Sequence, residues 1–86
     1  MNRSEILEVL TDHEALLADG FEDALLGYAE RFGMPIVAMY DRPKCIEVLC
    51  TRDGMTEEEA EEYFEFNVIG AWVGDSTPIF VTPIVS

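Results

Sequence analysis

Phe21-Glu22-Asp23-Ala24-Leu25-Leu26-Gly27-Tyr28-Ala29-Glu30-Arg31-Phe32 is the stretch on which the reading of this 86-residue chain turns. Phe21, Ala24, Leu25, Tyr28 and Phe32 fall at i, i+3, i+4, i+7 and i+11, one face of a 3.6-residue period, and predict an amphipathic helix. Asp19 and Glu22 supply a cap and its reciprocal acceptor ahead of it. Gly33 reads as a left-handed C-terminal stop, and Pro35 forbids continuation.

On the N-terminal side, Ser4 to Ala18 reads as another helix with Ile6, Leu7, Leu10, Leu16 and Leu17 apolar. Asn2 and Glu5 have the spacing of a capping box, while His13 and Glu14 interrupt the stripe. On the C-terminal side, Ile36-Val37-Ala38-Met39-Tyr40 is a short apolar run of strand formers between Pro35 and Asp41-Arg42-Pro43. Asp41 or Arg42 then caps a third helix with Pro43 in its first turn, where a missing N–H costs nothing. Ile46 and Leu49 face inward, and Asp53-Gly54 ends the helix. Thr56 with Glu59 forms a full capping box for a fourth helix, whose stripe runs through Ala60, Tyr63, Phe64, Val68, Ala71 and Trp72. Phe66, Ile69 and Val73 widen that stripe, and Gly70 and Gly74 permit close packing and termination. Ile79-Phe80-Val81, between Pro78 and Pro83, reads as an edge strand. The expected fold is therefore α+β and mostly helical: one domain over residues 1–86, about four helices in the order α-α-β-α-α-β, packed on a small two-stranded sheet.

Eighteen acidic residues against five basic ones give a net charge of −13, spread evenly over both halves of the chain. Such a surface repels phosphate backbones and anionic lipid heads, which are bound by Lys and Arg neutralisation, so direct nucleic-acid binding and membrane association are disfavoured. No run approaches the roughly 20 apolar residues that span a bilayer. Met1-Asn2-Arg3-Ser4-Glu5 lacks the layout of a signal peptide. Cys45 and Cys50 lie about 140° apart around a helix and have neither redox nor zinc spacing, so reduced thiols in a cytoplasm are expected.

A domain this small buries roughly 60 to 65% of its unfolded surface, which leaves little material for an elaborate pocket and favours a binding role over an enzyme. His13 is the only histidine and has no placed nucleophile or carboxylate orienter, so no catalytic residue is assigned. One His with two poorly spaced Cys makes no zinc site, and no cofactor is expected. The six carboxylates of Glu57–Glu65 sit on a convex helix surface and read as a solvated face rather than a cation site.

Five residues stand out as binding or structural-polar candidates. Tyr40 and Asp41 end the first strand, where contact residues often lie, although Asp41 is also explained as a helix cap. Asn67 falls in the middle of the last helix's apolar stripe, where an amide must be hydrogen-bonded. It reads either as a buried residue that fixes helix packing or as a polar contact at the floor of a cleft. Trp72 and the following loop with Asp75 form a contact surface, because Trp is enriched at binding hot spots.

Tyr40-Asp41, Lys44, Ile46-Glu47-Val48-Leu49, Arg52-Asp53-Gly54-Met55-Thr56, Glu58-Glu59-Ala60, Glu62-Tyr63-Phe64-Glu65-Phe66-Asn67-Val68, Gly70-Ala71, Val73-Gly74 and Thr77-Pro78-Ile79-Phe80 together form a recognisable string. It resembles a group of short proteins common in tailed phages and prophages. The resemblance covers about two-thirds of the chain and leaves Met1–Leu17 outside. It implies a setting, a small protein in the cytoplasm of an infected or lysogenic cell, and carries over no catalytic or binding residue. The expected function is thus an accessory protein that binds another protein without catalysis. The alternatives are an inhibitor whose carboxylates mimic nucleic-acid charge, and a self-associating structural protein, a homodimer joined through Ile79–Val81 or the Trp72 face.

Overall fold

Three polar side chains start the three α-helices. In the computed structural model, which describes residues 1–71 and 74–85, Asn2 opens α1 (Arg3–Asp12) with a reciprocal capping box. Its Oδ1 accepts from the Glu5 N–H and its own N–H donates to Glu5, both at 2.9 Å. Asp41 opens α2 (Arg42–Asp53), accepting from the Lys44 N–H at 3.4 Å with Pro43 in the first turn. Thr56 opens α3 (Glu57–Asn67) with its own box, the Thr56 N–H donating to Glu59 at 2.9 Å and the Glu59 N–H to Thr56 Oγ1 at 3.2 Å. Each cap satisfies backbone donors that the helix itself leaves without partners.

The expected helix over Phe21–Phe32 is not one. A 3-10 turn at Glu22–Ala24 leads into a strand, β1 (Leu25–Ala29), which pairs antiparallel with β2 (Val37–Asp41). The register sets Tyr28 opposite Ala38 and Ala29 opposite Val37, with a bulge between Leu25 and Gly27. Helix propensity is a weak preference, and Gly27 weakens it further by about 1 kcal/mol. What decides the matter is β2. Val37, Ala38 and Tyr40 are buried on both faces of that strand, so its N–H and C=O groups need partners along both edges. β3 (Ile79–Val81) runs parallel along one edge, with Tyr40 opposite Phe80, and only β1 is left to cover the other. Gly33 is accordingly a turn residue. The Met34 N–H donates to the Arg31 carbonyl at 3.1 Å, and Gly33 has the φ of +76° that a type II turn demands of its third residue. Phe32, expected on the buried face, stands fully exposed at the hairpin tip.

The fold is therefore α+β with three α-helices and a three-stranded sheet in the order β1-β2-β3, rather than four helices and two strands. The two expected strands do pair with each other, and Ile79–Val81 is an edge strand as its prolines suggest. α1 is shorter than expected and stops at Asp12 rather than Ala18. His13 caps it, and Glu14 turns the chain through a left-handed conformation at φ 55°. The Glu14 and Ala15 N–H groups then satisfy the Thr11 and Leu10 carbonyls at 3.0 and 2.9 Å. Leu16 and Leu17 lie in the exposed connection that follows.

One buried cluster closes the interior, with Leu10, Phe21, Tyr40, Leu49 and Phe64 as its large members. Phe64 sits at its centre. Its ring meets Phe21 edge-on at 6.2 Å and Phe80 edge-on at 5.0 Å, and Phe80 stacks on Tyr40 at 5.6 Å. Such edge-to-face and offset pairs add to area burial because ring edges are positive and faces negative.

Candidate functional site

α3 carries two faces. Ala60, Phe64 and Val68, four residues apart, are buried and dock the helix. Glu59, Glu62, Tyr63, Phe66 and Asn67 fall at i, i+3, i+4, i+7 and i+8 on the outer side, and Met55 from the α2–α3 connection lies beside them. These six residues line an open groove of about 370 Å³. Phe66 is 76% exposed and Tyr63 42%. A second hollow of about 180 Å³ adjoins it, formed by Ala18, Asp19, Phe21 and Arg52 with Val68 and Ala71. Tyr63 and Asn67 belong to both, so they form the wall between them.

The five sequence candidates do not converge. Tyr40 is 2% exposed, and its hydroxyl accepts the Ala18 N–H at 2.9 Å inside the core. Burial raises its phenol above the ordinary value of 10, against the pull of that N–H. Asp41 is the α2 cap, and neither residue lines the hollows that Asn67 does. Asn67 is not the buried amide that the stripe suggested. It is the last residue of α3 and exposed, and no charged or amide side chain is buried among the described residues. The inward axis runs through Ala60, Phe64 and Val68, which leaves Asn67 on the flank beside Tyr63. α3 also ends there, short of the expected Gly74, and Trp72 falls outside the described residues. Asp75 is exposed in the turn that Thr77 Oγ1 closes by donating to the Gly74 carbonyl at 2.8 Å.

The carboxylates of α3 divide by task. Arg42 at the start of α2 reaches Glu61 at 2.7 Å and Glu65 at 2.8 Å, with its guanidinium 5.2 Å over the Phe64 ring. Its hydrogen bond to Glu61 holds that carboxyl below its ordinary range. Glu59 serves the cap, and the backbone N–H of Thr56 likewise lowers its pKa. Among the described residues no three His, Cys, Asp or Glu side chains come together as a metal site.

Arg52 fixes the second hollow. It donates to the Gly20 carbonyl at 2.8 Å, pairs with Asp53 at 3.1 Å and lies 5.6 Å over the Phe21 ring. Gly20 makes this approach feasible: its φ is +90°, and a Cβ there would stand 2.7 Å from the guanidinium. Both cysteines are free. Cys45 is fully buried and burial pushes its thiol up to about 12, so it stays protonated and inert, whereas Cys50 is half-buried.

Compared with protein-family models, curated proteins and solved structures, the chain matches none. No helix among the described residues is long and apolar enough to cross a membrane.

The apolar pattern of the sequence puts Tyr63 and Phe66 on the inward stripe of α3, whereas the structure exposes both. The signal that places them outside was present: Ala60, Phe64 and Val68 define one line along the helix, and Phe66 lies about 160° from its centre.

Proposed function

We propose that this protein is a non-catalytic protein-binding module, a phage- or prophage-type accessory protein of the cytoplasm, which holds its partner with the outer face of α3. The observation that carries this reading is Phe66, a large aromatic held 76% exposed on a capped helix, with Tyr63 and Met55 beside it. Single exposed apolar side chains are ordinary, but aromatics grouped with Met around a groove are the composition of binding hot spots. The helix that carries the face is docked through Phe64, so its backbone is already in place and association has only side chains to order. The resemblance of the Tyr40–Phe80 string to short phage and prophage proteins supports the setting.

Charge mimicry of a nucleic acid draws less support. Two of the six carboxylates in Glu57–Glu65 share the single cation of Arg42, and a third is engaged in the cap. Self-association is opposed by a charge of −13 on every copy.

The test is affinity capture from lysate of the source cells, with the wild-type protein and Phe66→Ser as baits. The expected result is a partner retained by the wild type and lost by the variant, both baits being folded by circular dichroism. Identical captured sets would remove the α3 face from the function.

A further inference from the structure

We propose that the groove takes a basic segment of a partner protein, one that seats an apolar anchor among Met55, Tyr63 and Phe66 and sets a Lys or Arg against Glu59 and Glu62. This inference rests on the protein-binding reading above and adds the chemistry of the occupant.

The molecule's own cations carry the argument. Of its five basic residues, Arg42 is paired with Glu61 and Glu65, Arg52 with Asp53, Lys44 with Glu47 and Arg3 with Asp23. The fifth, Arg31, sits in the turn between β1 and β2. None of these pairs involves Glu59 or Glu62, which therefore border the apolar groove with no cationic partner among the described residues. Glu59 gives one oxygen to the Thr56 N–H, which leaves the other for an incoming donor. An acidic rim on a net charge of −13 attracts a cationic segment at long range and repels anionic ones, which raises association rates for the first and suppresses the second.

The floor makes the complementary demand. Met55 is an adaptable thioether, and Tyr63 and Phe66 offer ring faces, so a purely polar cation would leave them wet while an aliphatic anchor covers them. The stem of a Lys or Arg can lie on those faces with its head at the carboxylates. A second copy of this chain fits badly, since an isologous contact would bring the two acidic rims together.

The experiment uses the full chain and three synthetic peptides: an amphipathic Leu–Lys helix, its Leu–Glu counterpart, and a Ser–Lys peptide of the same charge without apolar anchors. Binding is followed by amide chemical shifts. The Leu–Lys peptide is expected to perturb residues 55–67, the Leu–Glu peptide to leave them unmoved, and the Ser–Lys peptide to bind at least about tenfold more weakly than Leu–Lys. Phe66→Ser, and separately Glu59→Gln with Glu62→Lys, each weaken Leu–Lys binding by about tenfold or more. Gln at position 59 keeps the reciprocal cap, and both other sites are exposed, so the fold is retained. Unchanged affinity in the Glu59→Gln/Glu62→Lys protein, or shifts scattered over the whole acidic surface, overturns the proposal. The two readings separate in lysate capture. A partner lost by Phe66→Ser but kept by the charge variant overturns the basic segment alone, whereas a partner kept by both variants overturns the protein-binding face itself.

Discussion

Glu14 is the one non-glycine residue among those described whose backbone is left-handed, at φ 55°. Its Cβ crowds the backbone there, which costs roughly 1–2 kcal/mol, while glycine pays no such cost but loses more chain entropy on folding. The side chain is exposed, so little else is at stake. Glu14→Gly should therefore stabilise the protein by about 0.5 kcal/mol, read as a higher urea midpoint at unchanged slope. Two other residues mark how far single positions can be read from sequence. The cap of α2 was legible to within one residue, Asp41 or Arg42, because Pro43 belongs in a helix's first turn, and the carboxylate of Asp41 takes the role. Asn67 was not legible, because its burial depends on how α3 is rotated and where it ends, and one side chain's polarity does not fix either.

Between elements, the contacts that matter are those tying α3 to the rest. Phe64 touches Phe21 and Phe80 and is fully buried, whereas Phe66, two residues on, points to solvent. Phe64→Ala should cost about 3–5 kcal/mol, a large part of a domain's stability, and Phe66→Ala no more than about 0.5 kcal/mol. Urea denaturation of the two variants checks the contrast, and equal losses would mean α3 is rotated differently. Arg42 joins α2 to α3 through Glu61 and Glu65, and its guanidinium covers the Phe64 ring. Solvent limits the pairs to about 0–1 kcal/mol each, so Arg42→Ala should cost about 1–2 kcal/mol at neutral pH with the ring contact included. Because Glu61 has a lowered pKa in the folded state, the pair's contribution is complete above its ordinary value of 4.5 and is lost as pH falls through the lowered one. The gap between wild type and Arg42→Ala should narrow below that value, and a gap unchanged down to about pH 3 would show that the pair contributes nothing. Elements were legible where local chemistry is strong: the capped starts of α1, α2 and α3 and the proline-bounded β3. β1 was not, because Phe21–Phe32 has helical spacing and becomes a strand only through β2's second edge, a need created elsewhere in the chain.

For the molecule as a whole, charge and size meet. The described chain measures 38 × 27 × 26 Å, and at about 0.01 M salt the screening length is ~30 Å, so nearly every carboxylate feels every other. Raising salt to about 0.15 M shortens that length to ~8 Å and relieves repulsion across the surface. The ion pairs it weakens are exposed or half-exposed and few. The melting temperature should therefore rise with salt, by about 4–8 °C if the relief is near 1 kcal/mol; a fall would mean that the ion pairs outweigh the repulsion. The sheet has a consequence of another kind. β1 and β2 are neighbours in sequence, but Met39 and Ile79 meet only after both intervening helices have been made. On a ribosome the hairpin can therefore assemble while Phe80 is still unsynthesised. Until β3 docks, the rings of Tyr40 and Phe64 lack their contact with Phe80, and a chain with its hairpin formed but this strand unplaced shows apolar surface that the finished sheet hides.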